Sequence, residues 1–210
     1  MRGAIAVSLF ALGCASLYAQ GTAPGTYTYS DPLGFSYAVP SEWEVVDARP
    51  MLPGEREKAT QSATSEDEKK GIACVQVGMT ARHGDPASVI VVIALPYDCY
   101  GQQMTADDLP GFGAGVAEGL KKTFDVGDSK TAFYTLGKHR LWIEREPGTP
   151  KDRPEIHVTI ETACTLLTKA AVCWMTMARD DAGLATFENG SVTLEADPAS
   201  RLVPSGTFTP

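Results

Sequence analysis

The residue types that could pass protons or hold a metal are few in this chain and lie apart. Three histidines, His83, His139 and His157, fall on separate segments. If residues 139–145 and 155–164 pair as strands around a loop centred near Pro150, His139 or Arg140 comes opposite Glu161. A histidine–carboxylate pair in that position can do acid–base chemistry. The same spacing also describes an ordinary cross-strand surface contact. His83-Gly84-Asp85 offers two metal-ligating side chains without a third, and a zinc site needs at least three. The glycines of Gly111-Phe112-Gly113-Ala114-Gly115 lack both the Lys-Ser/Thr ending of a phosphate loop and the spacing of a dinucleotide fingerprint. Gly-x-Ser-x-Gly, His-Glu-x-x-His and Cys-x-x-Cys motifs do not occur. The sequence therefore assigns no catalytic, cofactor-binding or metal-binding residue.

The cysteines carry more information. Arg2, the apolar run from Ala4 to Gly13 and the small residues after it read as an export signal, with an apolar run too short to span a bilayer. Cleavage after Ala19 leaves Gln20 first, with Ala15 as the alternative site; acylation of Cys14 is a third outcome and would make a lipoprotein. Removal of residues 1–19 takes Cys14 away and leaves Cys74, Cys99, Cys164 and Cys173. An even count in an oxidising compartment points to disulfides, and four cysteines allow three pairings. If Leu167–Ala170 connects two strands so that Leu166 meets Ala171, Cys164 lies opposite Cys173, at a cross-strand separation that modest adjustment closes. Cys74 and Cys99 then pair by elimination.

These residues are positioned by a chain that alternates as strands do. Phe35, Tyr37 and Val39 alternate with smaller residues, Pro40 ends the run, and Trp43 opens the next strand at Glu44–Val46. Asp31, Gly34-Phe35-Ser36-Tyr37, Pro40 and Trp43 together resemble the opening motif of the PsbP-like superfamily. The resemblance implies an antiparallel sheet sandwiched between helices and a binding role rather than catalysis. Its residues are structural, so it implies no catalytic positions.

Further strands are expected at residues 27–29, 73–80, 88–95, 132–136, 139–145, 155–164 and 171–178. The continuous run Val89-Ile-Val-Val-Ile-Ala-Leu95 reads as a central strand covered on both faces. A helix is expected from Pro110 to Phe124, with Phe112, Val116 and Leu120 as its apolar stripe and Gly115 and Gly119 turned to a sheet. Residues 53–70 read as a solvated helix or loop, 82–87 and 146–153 as loops, and Asp180 or Asp181 as the cap of a last helix carrying Leu184 and Phe187. Val192 and Leu194 read as an extended segment.

The sequence thus predicts an α/β (α+β) domain, an antiparallel sheet of about six or seven strands with helices packed on it, over residues 20–197, with a loose tail at 198–210. Eighteen basic against 26 acidic residues give a net charge of −8, which argues against nucleic acid as partner. The expected function is that of an exported, non-enzymatic binding or accessory protein, periplasmic or extracellular. Its partner is a protein or small molecule, and its mature chain carries no cofactor and no membrane-spanning segment. The competing readings are a secreted hydrolase and a lipid-anchored envelope protein. Glu55–Lys70, Arg82–Ala87 and Glu146–Arg153 are the segments expected to meet a partner.

Overall fold

The computed structural model describes residues 27–30, 33–39, 43–46, 57, 60, 61, 63, 65–84, 88–180 and 191–198. The signal segment, Cys14, Asp31, Pro40, Asp85, the helix expected around Leu184 and Phe187, and the tail from residue 199 lie outside them.

An eight-stranded antiparallel sheet dominates the molecule. It runs in the order β3 (Glu44–Val46), β4 (Gln76–His83), β5 (Ser88–Pro96), β10 (Ala170–Ala178), β9 (Val158–Leu166), β8 (His139–Pro150) and β6 (Phe124–Val126), and β7 (Lys130–Leu136) pairs with β8 beside β6. β1 (Tyr27–Ser30), β2 (Phe35–Val39) and β11 (Ser191–Leu194) form a separate three-stranded sheet. Three helices lie wholly among the described residues: α1 (Glu66–Cys74), α2 (Tyr97–Tyr100) and α3 (Leu109–Leu120).

The period of two along the central strands creates two cores. Val91, Ile93 and Leu95 of β5 point into one, with Cys173 and Met175 of β10 and with Leu109, Phe112, Val116 and Leu120 of α3. Ile90, Val92 and Ala94 point into the other, with Val172 and Trp174 of β10 and with Phe35, Tyr37, Val39, Val192 and Leu194 of the small sheet. β5 is apolar from Val89 onward because both of its faces are covered. The α+β class holds, with eight strands in the main sheet; among the described residues α3 covers one face and the small sheet the other.

Two local features explain why the chain folds this way. Gly34 opens β2 at φ 102°, a conformation that favours glycine, and its carbonyl accepts the Glu195 N–H at 2.7 Å. On α3 the approach to the sheet is tight at Gly113, where an added Cβ would overlap the Trp142 indole. Gly115 and Gly119 are buried as expected.

Three boundaries differ from expectation. α3 stops at Leu120 because Lys121 and Lys122 close it in a tighter turn, and Phe124 begins β6 instead. β4 starts at Gln76 because residues 66–74 form α1, whose Ser65 hydroxyl accepts the Glu68 N–H at 3.1 Å. The segment 146–153 is not a loop up to Pro150. β8 continues through Pro147, Gly148 and Pro150, pairing with β9 on one side and β6 on the other. A proline lacks a ladder donor but still accepts: the Pro147 carbonyl takes the Gly127 N–H at 2.9 Å.

Candidate functional site

The histidine–carboxylate pair considered from sequence does not form. Arg145, not His139, stands opposite Glu161, because the β8–β9 register is centred on residue 153 rather than near Pro150. Arg145 Nη2 lies 2.5 Å and Nε 3.1 Å from Glu161 Oε2, with Glu161 almost wholly buried. This ion pair satisfies a carboxylate inside the sheet rather than activating a histidine.

His139 instead meets the turn after β11. Its Nε2 lies 3.8 Å from Glu195 Oε2. Glu195 also accepts the Thr168 N–H at 2.6 Å and lies 3.2 Å from the Lys138 ammonium. Asp197 Oδ2 accepts the Lys138 N–H at 3.3 Å. Burial alone would raise the Glu195 carboxyl, but the hydrogen bonds from Thr168 and Lys138 outweigh it and bring it down to about 2. Glu195 and Ala196 both hold positive φ, 50° and 58°. The turn is thus a latch that fastens the small sheet to the β7–β8 and β9–β10 hairpins.

The other imidazoles stand elsewhere. His83 stacks on Trp43 with ring centroids 5.7 Å apart, and Asp85 lies outside the described residues. His157 Nδ1 is 3.0 Å from the Thr149 hydroxyl. No group of three or more His, Cys, Asp or Glu side chains that could hold a metal occurs among the described residues. Disulfides join Cys164 to Cys173, in register across β9 and β10 with Cα atoms 4.1 Å apart, and Cys74 to Cys99, tying the end of α1 to α2 at 5.5 Å. No helix among the described residues is long and apolar enough to cross a membrane.

Two features escaped the sequence reading. The first is the outer edge of β7. Its partner β8 lies on one side, and among the described residues no strand pairs with the other. Phe133 is 46% exposed there, the one exposed large apolar side chain among the described residues, and the Arg140 guanidinium lies 3.9 Å from its ring centroid. The opposite edge is different: β3 has three residues, and Glu44 is held by Arg82 at 2.8 Å. Edges are usually blunted by shortness, proline or charge. β7 has seven residues, no proline and one charge, Lys130.

The second is Glu146, buried on the face of β8 that carries Trp142. Its signal was the alternation Trp142-Ile-Glu144-Arg-Glu146, which continues a strand into a segment whose Pro and Gly suggest a loop.

No family model matches the chain, and no curated protein matches it. Among solved structures it is similar to cyanobacterial PsbP from Synechocystis sp. PCC 6803, at 13% identity and a TM-score of 0.39, over 80% of this chain and 89% of that one. It is also similar to LpqN, involved in cell envelope biogenesis of Mycobacterium tuberculosis, at 14% identity and a TM-score of 0.40, over 83% and 91%. At these scores the likeness carries no argument about function.

Proposed function

We propose that this chain acts after export as a non-enzymatic binding or accessory protein, and that it takes an extended segment of a partner protein along β7. The observation that carries this reading is the edge of β7 that no strand among the described residues pairs, with Phe133 beside it. Main-chain groups on such an edge supply sequence-independent affinity, and a neighbouring aromatic supplies the anchor. Arg140 fixes the Phe133 ring from the β8 side and adds a positive charge to a chain of net charge −8. The partner segment that suits this edge is therefore extended, apolar where it meets Phe133, and acidic beside Arg140. The two disulfides support the export part of the reading, since such bonds persist in oxidising compartments.

The test is a photo-crosslinking amino acid placed at position 133 in the native host, with position 111 as control. Gly111 is exposed and has open space around it. A discrete adduct at 133, absent at 111 and competed by added wild-type protein, is the expected result. Equal labelling at both positions, or none at 133, would contradict the reading.

A further inference from the structure

The interface between α3 and β8 holds a buried carboxyl group. Glu146 pairs across the sheet with Ile160 and is 4% exposed, and its Oε1 has no hydrogen-bond partner. A buried acid without a partner favours its neutral form.

The charged groups around it make ionisation harder. Glu144, two residues earlier, lies on the same face of β8. Glu118 and Lys121 act on it from the end of α3, but Lys121 is already held by Glu118 at 2.5 Å. On β9 the residues of that face beside Ile160 are Val158 and Thr162, which carry no charge. The connection from β6 to β7 passes the outer side of β8, donating the Gly127 N–H to Pro147, and it carries exposed Asp128 ahead of Lys130. Two flanking glutamates and one shared lysine leave an ionised Glu146 under-compensated.

We propose that Glu146 is a protonation switch for the seating of α3: with the proton on, the C-terminal half of the helix packs on β8, and with it off, that half lifts. Ionisation would bring water to the carboxylate and repulsion from Glu144 and Glu118. The end of α3 is the element that can yield, because β8 is held by strands on both sides. Burial first, and Glu144 second, push the Glu146 carboxyl up to about 7, with Lys121 pulling the other way and Glu118 adding to the rise. The folded value is thus above the ordinary 4.5. The stability tied to the retained proton is fully present below 4.5, and it is lost as pH rises to about 7. This inference stands independently of the β7 reading.

Amide hydrogen exchange over residues 116–120 tests it, at pH 5.5 and pH 8.5, corrected for the intrinsic pH dependence of exchange. In the wild type, protection should fall by on the order of tenfold or more between the two, following a pKa rise of more than one unit. In Glu146→Gln, protection should stay flat. Equal falls in both proteins would overturn the proposal, as would no fall in the wild type. Should Glu146→Gln fail to fold, Glu144→Gln serves: it removes a neighbouring charge, so the midpoint of the wild-type transition should move to lower pH. An unmoved midpoint would overturn the proposal equally.

Discussion

At the scale of single residues, positions that look exchangeable in a list of glycines and carboxylates have different physical roles. Gly113 lets α3 lie on Trp142, and no side chain fits between them. Gly113→Ala should therefore destabilise the fold by about 1–3 kcal/mol through overpacking, measured as a lower urea midpoint with an unchanged slope. Gly111→Ala, at a position with open space, should be neutral or slightly stabilising. Glu195 makes the opposite use of charge from Glu146. Its folded value of about 2 lies below the ordinary 4.5, so its contribution is present above 4.5 and is lost as pH falls toward 2. Acid titration should show wild-type melting temperature falling through that window, and Glu195→Gln should flatten part of the fall. An identical acid profile in the variant would mean that the latch does not couple to stability.

At the scale of elements, strand periodicity was the readable signal and register was the weak one. The alternation of Phe35, Tyr37 and Val39 on β2 could be read directly, because one face of that strand is buried and the other is not. The Cys164–Cys173 pairing followed from one assumption about a short connection, which the β9–β10 register bears out. The same kind of assumption failed for β8 and β9. Placing the loop near Pro150 treated two prolines and a glycine as a turn, whereas β8 runs through them and the connection centres on Arg153. That shift of three residues exchanged the partner of Glu161 from His139 or Arg140 to Arg145 and removed the acid–base pair. It also turned Glu146 from an exposed loop residue into a buried one. Replacing Cys164 and Cys173 with alanines should cost about 2–3 kcal/mol for so short a loop, read from the denaturant midpoint. A loss near zero would show that the surrounding strands already hold the register.

At the scale of the molecule, two sheets and a helix layer enclose two cores among the described residues, and three side chains considered for chemistry stand in separate contacts. His139 belongs to the latch, Glu161 to an ion pair and His83 to an aromatic stack. The edge of β7 was not legible in the sequence, because whether a strand is central or terminal depends on its partners rather than on its own residues. Phe133 reads as one more apolar residue of a strand until its exposure is known. The sheet order supplies that knowledge, and with it the proposed route to function. The central claim is that partner affinity resides at this edge. The most direct measurement is the Kd of the crosslinked partner for wild-type protein and for Phe133→Asp, with thermal melting as the control for folding. An anchor of this kind predicts a loss of about tenfold or more in affinity with melting unchanged. Equal affinities for the two proteins would contradict it.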